Sequence, residues 1–157
     1  MTNIRERYDM RGITYDAPYY RCRKNLCSRC GIDCGNIKEI NKCKDFVPII
    51  PFRPKIRGMI GNWNTFRIGT AWYYRLNEGA KVAILNTKTK TIERYETVKF
   101  IDFGTKEQMC AKYAKDNHNI VADDIVDNIA ETMLQRMNKN YGRKIFEATE
   151  YATVIYF

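Results

Sequence analysis

Five of the six cysteines lie between residues 22 and 43, and thiols at this density can ligate a metal ion. The set with the tightest spacing, C-x2-C-x3-C-x8-C, consists of Cys27, Cys30, Cys34 and Cys43. A C-x2-C pair places two thiolates on one turn, and tetrahedral zinc takes four such ligands. Gly31 and Gly35 permit the sharp backbone that such a loop needs. Four thiolates leave no position for water, so we expect a structural zinc.

Other uses of these cysteines remain open. Cys22 is a fifth candidate ligand, which could replace Cys34 or Cys43. The spacing Cys22-x4-Cys27-x2-Cys30 resembles that of plant-type ferredoxins, so an iron–sulfur cluster is the alternative cofactor. Free thiols or disulfides are the third possibility, although clustered cysteines in a cytosolic chain favour metal binding.

Two further reactive residues are predicted to be structural. Cys110 follows Met109 inside a predicted helix, which favours a buried thiol. His118, the single histidine, is expected to be a polar cap or a surface residue at a helix end. The sequence offers no Ser/His/Asp triad.

The net charge of +9 is concentrated in the first two thirds of the chain. Residues 47–100 carry ten Lys and Arg against three acidic residues, and residues 1–46 carry ten against six. Residues 101–157 reverse the balance, with seven against nine. Such a positive region attracts phosphate backbones or an acidic protein surface.

The elements that must position these residues divide the chain near Asp45. Residues 1–45 are predicted to form an N-terminal arm and the cysteine-rich zinc module, and residues 46–157 to form one domain. Thr65 to Ile68, Ala80 to Leu85, Ile92 to Phe103 and Tyr151 to Phe157 have the composition of strands.

Between the last two strands the hydrophobic period becomes helical. Thr105 and Gln108 form a capping-box pair that opens one helix. A second helix is predicted from about Asp123, with a stripe of apolar residues, and ends before Gly142. The members of this stripe are Ile125, Ile129, Met133 and Met137. The pattern predicts an α+β fold with two helices.

The segment from Phe52 to Arg67 resembles the opening of ASCH domains, whose loop reads G-x-K-x-x-[TE]-x-R. Thr65-x-Arg67 matches the end of this loop, and Leu76 to Val82 is similar to the turn and strand that follow it. The order of the later elements is also similar to that of the small bacterial acetylcytidine amidohydrolases of this family. The resemblance covers residues 47–157 and implies a PUA-like small β-barrel whose cleft receives a nucleotide or an RNA end.

The same resemblance implies that the catalytic set is incomplete. In the amidohydrolases a Lys, a Thr and a Glu act together, and here the Thr falls on Thr65. The Lys position falls on Asn62 or Gly61, and the Glu position falls near Asn117, beside Asp116. Because an Asn cannot supply the charged amine of a Lys, we expect a binding protein without hydrolase activity.

Aromatic and basic residues alternate around the loop motif. Aromatic faces stack unpaired bases and guanidinium groups bind phosphates. The residues predicted to bind nucleic acid are Arg53, Lys55, Arg57, Trp63, Thr65, Arg67, Tyr73 and Arg75. If residues 72–74 are a strand, Trp72 and Tyr74 share a face and belong to the core.

Three functions are compatible with these patterns. The first is non-catalytic binding of RNA or a nucleotide, the second an amidohydrolase-like reaction on a modified nucleoside, with Lys55 or Asp116 as a relocated base. The third is the role of a small protein–protein inhibitor or adaptor, of the kind found on mobile elements. Its basic face would bind an acidic protein surface. The sequence shows no apolar run of membrane-spanning length and no secretory signal, so we expect a cytoplasmic protein.

Overall fold

The computed structural model describes residues 48–89 and 91–157, which form an α+β fold in two compact units. In the described part, the first unit comprises residues 48–54 and 81–96, and the second comprises residues 55–80 and 97–157. The predicted boundary near Asp45 and the cysteine module of residues 1–45 lie outside the described residues. None of the described helices has the length and apolar composition that a membrane span requires.

Most of the described helices lie between β5 and β6 in the chain. In chain order they are β1 (Ile49–Phe52), β2 (Asn64–Ile68), α1 (Ala71–Arg75), β3 (Lys81–Asn86), β4 (Thr91–Thr97), β5 (Phe100–Thr105), α2 (Lys106–Tyr113), a 3-10 turn (Ala114–Asp116), α3 (His118–Ala122), α4 (Ile129–Tyr141), α5 (Arg143–Ala148) and β6 (Tyr151–Tyr156).

The first unit holds a three-stranded sheet in the order β1-β3-β4. β1 runs parallel to β3, with Ile49 opposite Ala83 and Phe52 opposite Asn86. Both strands are buried along most of their length, as is usual for parallel strands. The predicted strand from Ala80 to Leu85 is therefore confirmed as β3.

The second unit is built on an antiparallel sheet in the order β2-β6-β5. Helices α2 and α4 pack on one face of this sheet and form the core of the unit. The members of this core that are most completely buried include Met109, Ala114, Ile120, Met137, Ala152 and Val154. The predicted strands at residues 65–68 and 151–157 are confirmed as β2 and β6.

The predicted helix boundaries are correct in part. The capping box is present: Gln108 N donates to Thr105 Oγ1 at 3.2 Å, and the Gln108 side chain accepts from Thr105 N. α4 ends at Tyr141, before Gly142, as expected. It begins at Ile129 and not near Asp123, because Asp124 (φ 52°) and Asn128 (φ 50°) leave the right-handed helical region.

The predicted long strand from Ile92 to Phe103 is two strands in two sheets. β4 belongs to the first sheet and β5 to the second. Between them, Val98 N donates to Ala80 O, whereas Lys99 N donates to Tyr156 O, both at 2.8 Å. The backbone therefore changes hydrogen-bonding partners at residues 98–99, and one continuous ladder cannot form.

The barrel expectation needs correction as well. The six described strands form two separate three-stranded sheets and not one closed sheet. The described residues also contain five α-helices where two were predicted, since the short helices α1, α3 and α5 have too few residues for a clear hydrophobic period.

Candidate functional site

One face of the second sheet, together with helix α1, carries four of the eight residues predicted to bind nucleic acid: Thr65, Arg67, Tyr73 and Arg75. Phe66 packs into the helical core, so its neighbours in β2 point to the opposite face of the sheet. On that face Arg67 pairs with Thr153, which pairs with Phe103. We call the surface formed by Arg67, Thr153, Phe103, Tyr73, Tyr74 and Tyr151 the Arg67 face.

Four aromatic rings lie in contact on the Arg67 face. The Tyr73 and Phe103 ring centroids are 4.6 Å apart, and the Tyr73 and Tyr74 centroids are 5.3 Å apart with perpendicular rings. Phe103 also meets Tyr151 at 6.2 Å. Tyr74 is 75% exposed and Tyr151 is 42% exposed. The cluster therefore presents aromatic surface to solvent while its inner rings hold it in place.

A glycine turn brings helix α1 over this face. Gly69 adopts φ 78°, its N–H donates to Tyr151 O at 2.8 Å, and its carbonyl accepts from Thr153 Oγ1 at 2.7 Å. Residues 72–74 are helical and not a strand, so Trp72 and Tyr74 lie about 200° apart around the helix axis. Trp72 is buried and Tyr74 is exposed, which differs from the expectation that they share a face.

The charged and hydroxyl residues of β2 are enclosed on this face. Arg67 is only 7% exposed and Thr65 only 3%. At the end of α1, the Arg75 guanidinium lies 5.3 Å from the centroid of the Trp72 ring, a cation–π contact. Buried guanidinium groups interact more strongly than exposed ones, because less water screens them.

The remaining predicted cations lie in the segment before β2. Arg53 and Lys55 are exposed. Arg57 forms an ion pair with Asp123 at 2.7 Å, and Arg136 contacts the other oxygen of the same carboxylate at 2.7 Å. The hydrogen bond from Arg136, aided by Arg57, holds the pKa of the Asp123 carboxyl below its ordinary value. The charge of Arg57 is thus partly neutralised by a structural partner.

Trp63, expected to stack on bases, lies in the core. It is 2% exposed, with its ring 4.5 Å from Phe157 and 5.6 Å from His118. No open ring face remains for a base, so its role in the structure is packing. The aromatic residue that meets solvent near the motif is Tyr74, which the prediction omitted.

Two positions that the ASCH resemblance relates to the catalytic set, Asn117 and Asn62, contact residues outside that set. Asn64, next to Thr65, forms an isolated parallel bridge with Asn117, whose Nδ2 donates to Asn64 O at 3.4 Å. Lys99 Nζ donates to Asn62 Oδ1 at 3.1 Å, so an amine lies beside the position where the motif lacks its Lys.

Comparison with family models, with curated proteins and with solved structures gives no match to this chain.

The two other residues singled out by their chemistry are buried. Cys110 is 2% exposed, as predicted, and burial together with the nearby Glu107 raises the pKa of its thiol to about 12. His118 is 6% exposed and its Nδ1 lies 3.0 Å from Arg57 O, whereas the capping side chain of α3 is Asn117. His118 is therefore neither a cap nor a surface residue.

The opposite face of the second sheet carries a polar cluster that the sequence did not reveal. Tyr113 donates to Asp102 Oδ2 and Tyr156 donates to Asp116 Oδ2, both at 2.7 Å. Burial and the Asp102 hydrogen bond raise the pKa of Tyr113 to about 12. Burial and Asp116 likewise raise the pKa of Tyr156, against a smaller opposite effect of Asn64.

This cluster escaped prediction because its members come from four separate elements. Asp102 lies two residues from Phe100 on one strand and therefore shares its face, but nothing local relates either residue to Tyr113, Asp116 or Tyr156. The register that sets Tyr156 between Asn64 and Phe100 is a tertiary property.

The predicted metal ligands Cys27, Cys30, Cys34 and Cys43 lie outside the described residues. Within residues 48–89 and 91–157, no group of three or more His, Cys, Asp or Glu side chains could hold a metal ion.

Proposed function

We propose that this chain is a non-catalytic, ASCH-like protein that binds single-stranded RNA or a nucleotide on the Arg67 face. The observation that carries the proposal is the aromatic cluster whose outer member, Tyr74, is 75% exposed and supported by Tyr73 and Phe103. An exposed ring held by other rings loses little conformational entropy when a base stacks on it.

Stacking and charge act together at such a surface. Each base stacked on an aromatic ring contributes about 1–3 kcal/mol, with little dependence on sequence. The excess of cations in residues 47–100 supplies the electrostatic attraction for a phosphate backbone. Arg53 and Lys55 are exposed members of this region.

A titration of labelled single-stranded RNA, followed by fluorescence anisotropy at two salt concentrations, tests the proposal. We expect affinity to fall steeply with salt, because each neutralised phosphate releases counterions. Lys55→Gln removes one exposed cation of the predicted site, so it should weaken binding severalfold and reduce the salt slope by about 1. Lys88→Gln, at an exposed turn outside the predicted site, serves as the matched control and should have a smaller effect.

Two results would contradict the proposal. One is the absence of binding at low salt, which would leave an acidic protein surface as the partner for the basic region. The other is an equal response to Lys55→Gln and Lys88→Gln, which would indicate diffuse electrostatic attraction and no defined site.

A specific contact supports a second candidate, an amidohydrolase-like reaction on a modified nucleoside. Lys99 Nζ lies 3.1 Å from Asn62 Oδ1 and offers an amine near the motif position that lacks one. The position related to the family's Glu is Asn117, which cannot act as a general base. Turnover of acetylated cytidine that is lost in Lys99→Met but kept in Lys112→Met would favour this candidate over pure binding.

We also propose one structural zinc in the cysteine module, with an iron–sulfur cluster as the alternative. Clustered thiolates persist in reducing compartments, so a cytoplasmic location goes with this proposal.

Elemental analysis of reductively purified protein should find one zinc per chain, and Cys27→Ser or Cys43→Ser should release it. Structural zinc contributes about 10–16 kcal/mol to the folding of small modules, so each variant should unfold that module. Protein without metal would contradict the proposal, and absorbance at about 400 nm would favour iron–sulfur.

A further inference from the structure

Three aromatic rings and two carboxylates converge on the helix-covered face of the second sheet. We call the group formed by Phe100, Tyr113, Tyr156, Asp102, Asp116 and Asn64 the tyrosine–aspartate niche. Its three ring centroids are 5.7–6.0 Å apart, and each pair of rings is inclined by 58–76°. Phe100 is 39% exposed, and the two tyrosines are partly exposed. Solvent therefore reaches the rings.

No cation of residues 48–89 or 91–157 forms an ion pair with the carboxylates of the niche. Among the described residues, Asp102 accepts hydrogen bonds from the Tyr113 phenol and from Phe103 N at 2.8 Å, and Asp116 accepts from the Tyr156 phenol. These donors are neutral. The nearby Lys99 amine donates to Asn62 and forms no ion pair with either carboxylate. The niche thus keeps a local negative charge on a chain whose net charge is +9.

A buried acceptor in the niche lacks a donor among the described residues. Asn64 is fully buried, and its Nδ2 donates to Tyr113 O at 2.8 Å. Its Oδ1 is buried with no hydrogen-bond partner in the described part of the chain. The same residue lies directly opposite Tyr156 in the β2–β6 register. A buried acceptor without a donor is energetically unfavourable, so a ligand that supplies a donor there is favoured.

The geometry points to a binding site for a small primary alkylammonium ligand, such as a diamine, in the tyrosine–aspartate niche. Aromatic faces carry negative partial charge and attract ammonium groups. The carboxylates attract the same charge, and a primary ammonium also brings N–H donors for Asn64 Oδ1, which a quaternary ammonium lacks. An anionic ligand would meet two carboxylates and three ring faces, so the niche excludes it. The inference is independent of the proposed RNA surface, which lies on the other face of the sheet.

Isothermal titration of the full chain with 1,4-diaminobutane tests this inference. We expect saturable binding that 1,4-butanediol, the neutral analogue of the same length, does not reproduce. Tetramethylammonium should bind more weakly than the diamine, because it cannot donate to Asn64. Asp116→Asn keeps an acceptor for Tyr156 but removes the charge, and it should weaken diamine binding about tenfold.

A control variant outside the niche and a second variant within it complete the test. Asp127→Asn removes an exposed carboxylate outside the niche and should leave diamine binding unchanged. Phe100→Leu retains apolar volume and removes one ring face, so it should weaken binding even if Asp116→Asn proves unstable. No binding to the wild-type chain would overturn the inference. So would equal losses in Asp116→Asn and Asp127→Asn, or unchanged binding in Phe100→Leu.

Discussion

At the scale of single residues, Gly58 shows how closely the loop before β2 approaches helix α3. Its φ is 71°, and a Cβ at this position would lie 1.8 Å from the carbonyl oxygen of His118. The backbone of His118 cannot yield as a flexible side chain would. Gly61, in the same loop, has a similar φ of 66° but no atom within 4 Å of its ideal Cβ position. A substitution at Gly61 therefore introduces backbone strain alone, whereas a substitution at Gly58 adds a clash with the α3 backbone.

Gly61→Ala should reduce the free energy of unfolding by about 1–2 kcal/mol, the cost of a left-handed conformation for an L-residue. Gly58→Ala carries the same strain and must in addition displace the α3 backbone, so its loss should be clearly larger. Urea denaturation of the two variants measures both values. Equal losses would show that the loop and α3 are not in contact in solution.

Lys106 is a buried cation that stabilises the end of a helix. Its Nζ donates to Phe146 O at 2.6 Å and to Thr149 O, and it lies 4.3 Å from the Phe146 ring centroid. The carbonyl groups at the C-terminal end of α5 have no helical donors of their own, and a cation there also interacts favourably with the helix dipole.

Lys106→Met keeps the apolar stem and removes the ammonium group. We expect the free energy of unfolding to fall by about 1.5–3 kcal/mol, because hydrogen bonds from a charged donor are lost. Lys144→Met, at an exposed position of α5, should change it by less than about 0.5 kcal/mol. Chemical denaturation compares them, and a similar effect of both substitutions would contradict the capping role.

At the scale of elements, one carboxylate joins three segments of the second unit. Asp123 follows α3 and contacts Arg57, from the loop before β2, and Arg136, from α4. The pKa of Asp123 in the folded chain is below its ordinary value, chiefly through the Arg136 hydrogen bond. Its contribution to stability is therefore complete above the unfolded pKa and is lost as the pH falls through the folded pKa.

The substitution Asp123→Asn should thus destabilise the fold at neutral pH and less so in acid. The difference in unfolding free energy from wild type should shrink as the pH falls from about 6 to about 3. Asp127→Asn, which removes an exposed carboxylate, should show no such trend. Urea denaturation across this pH range provides the values, and a pH-independent difference for Asp123→Asn would contradict the ion pairs.

The elements also show which features the sequence could predict. The capping box of Thr105 and Gln108 is local and was predicted correctly. The apolar stripe is local as well, but its first predicted member, Ile125, lies before α4. The division of β4 from β5 depends on the partners of Val98 and Lys99, which lie far away in the chain. Helix α1 was missed because aromatic residues favour strands, whereas the Gly69 contacts with β6 favour a tight return over the sheet.

The candidate site could also be predicted only where residues of a single strand determine the arrangement. The motif residues Thr65 and Arg67 were placed together correctly, because they alternate on one strand. Trp63 was expected in the site and lies in the core, since its packing partner Phe157 is at the other end of the domain sequence. Residue pairs that depend on strand register, such as Asn64 with Tyr156, cannot be predicted before the pairing of the strands is known.

At the scale of the whole chain, positive charge and exposed aromatic surface occur in the same stretch of sequence. Residues 47–100 hold ten cations, and they also contain Tyr74, the most exposed aromatic residue of the described part. A positive charge excess alone would attract any polyanion. An aromatic ring that stacks on bases adds an energy that does not depend on salt, so the two contributions can be separated.

The most direct test of RNA binding on the Arg67 face is the affinity of Tyr74→Ala for single-stranded RNA, measured by anisotropy at two salt concentrations. Tyr95→Ala is the matched control, because Tyr95 is also an exposed tyrosine, at 45%, but lies in the first unit. We predict that Tyr74→Ala weakens binding about tenfold with an unchanged salt slope, and that Tyr95→Ala stays within about twofold of wild type. Equal affinities for the two variants, or a salt slope that changes in Tyr74→Ala, would contradict stacking on the Arg67 face.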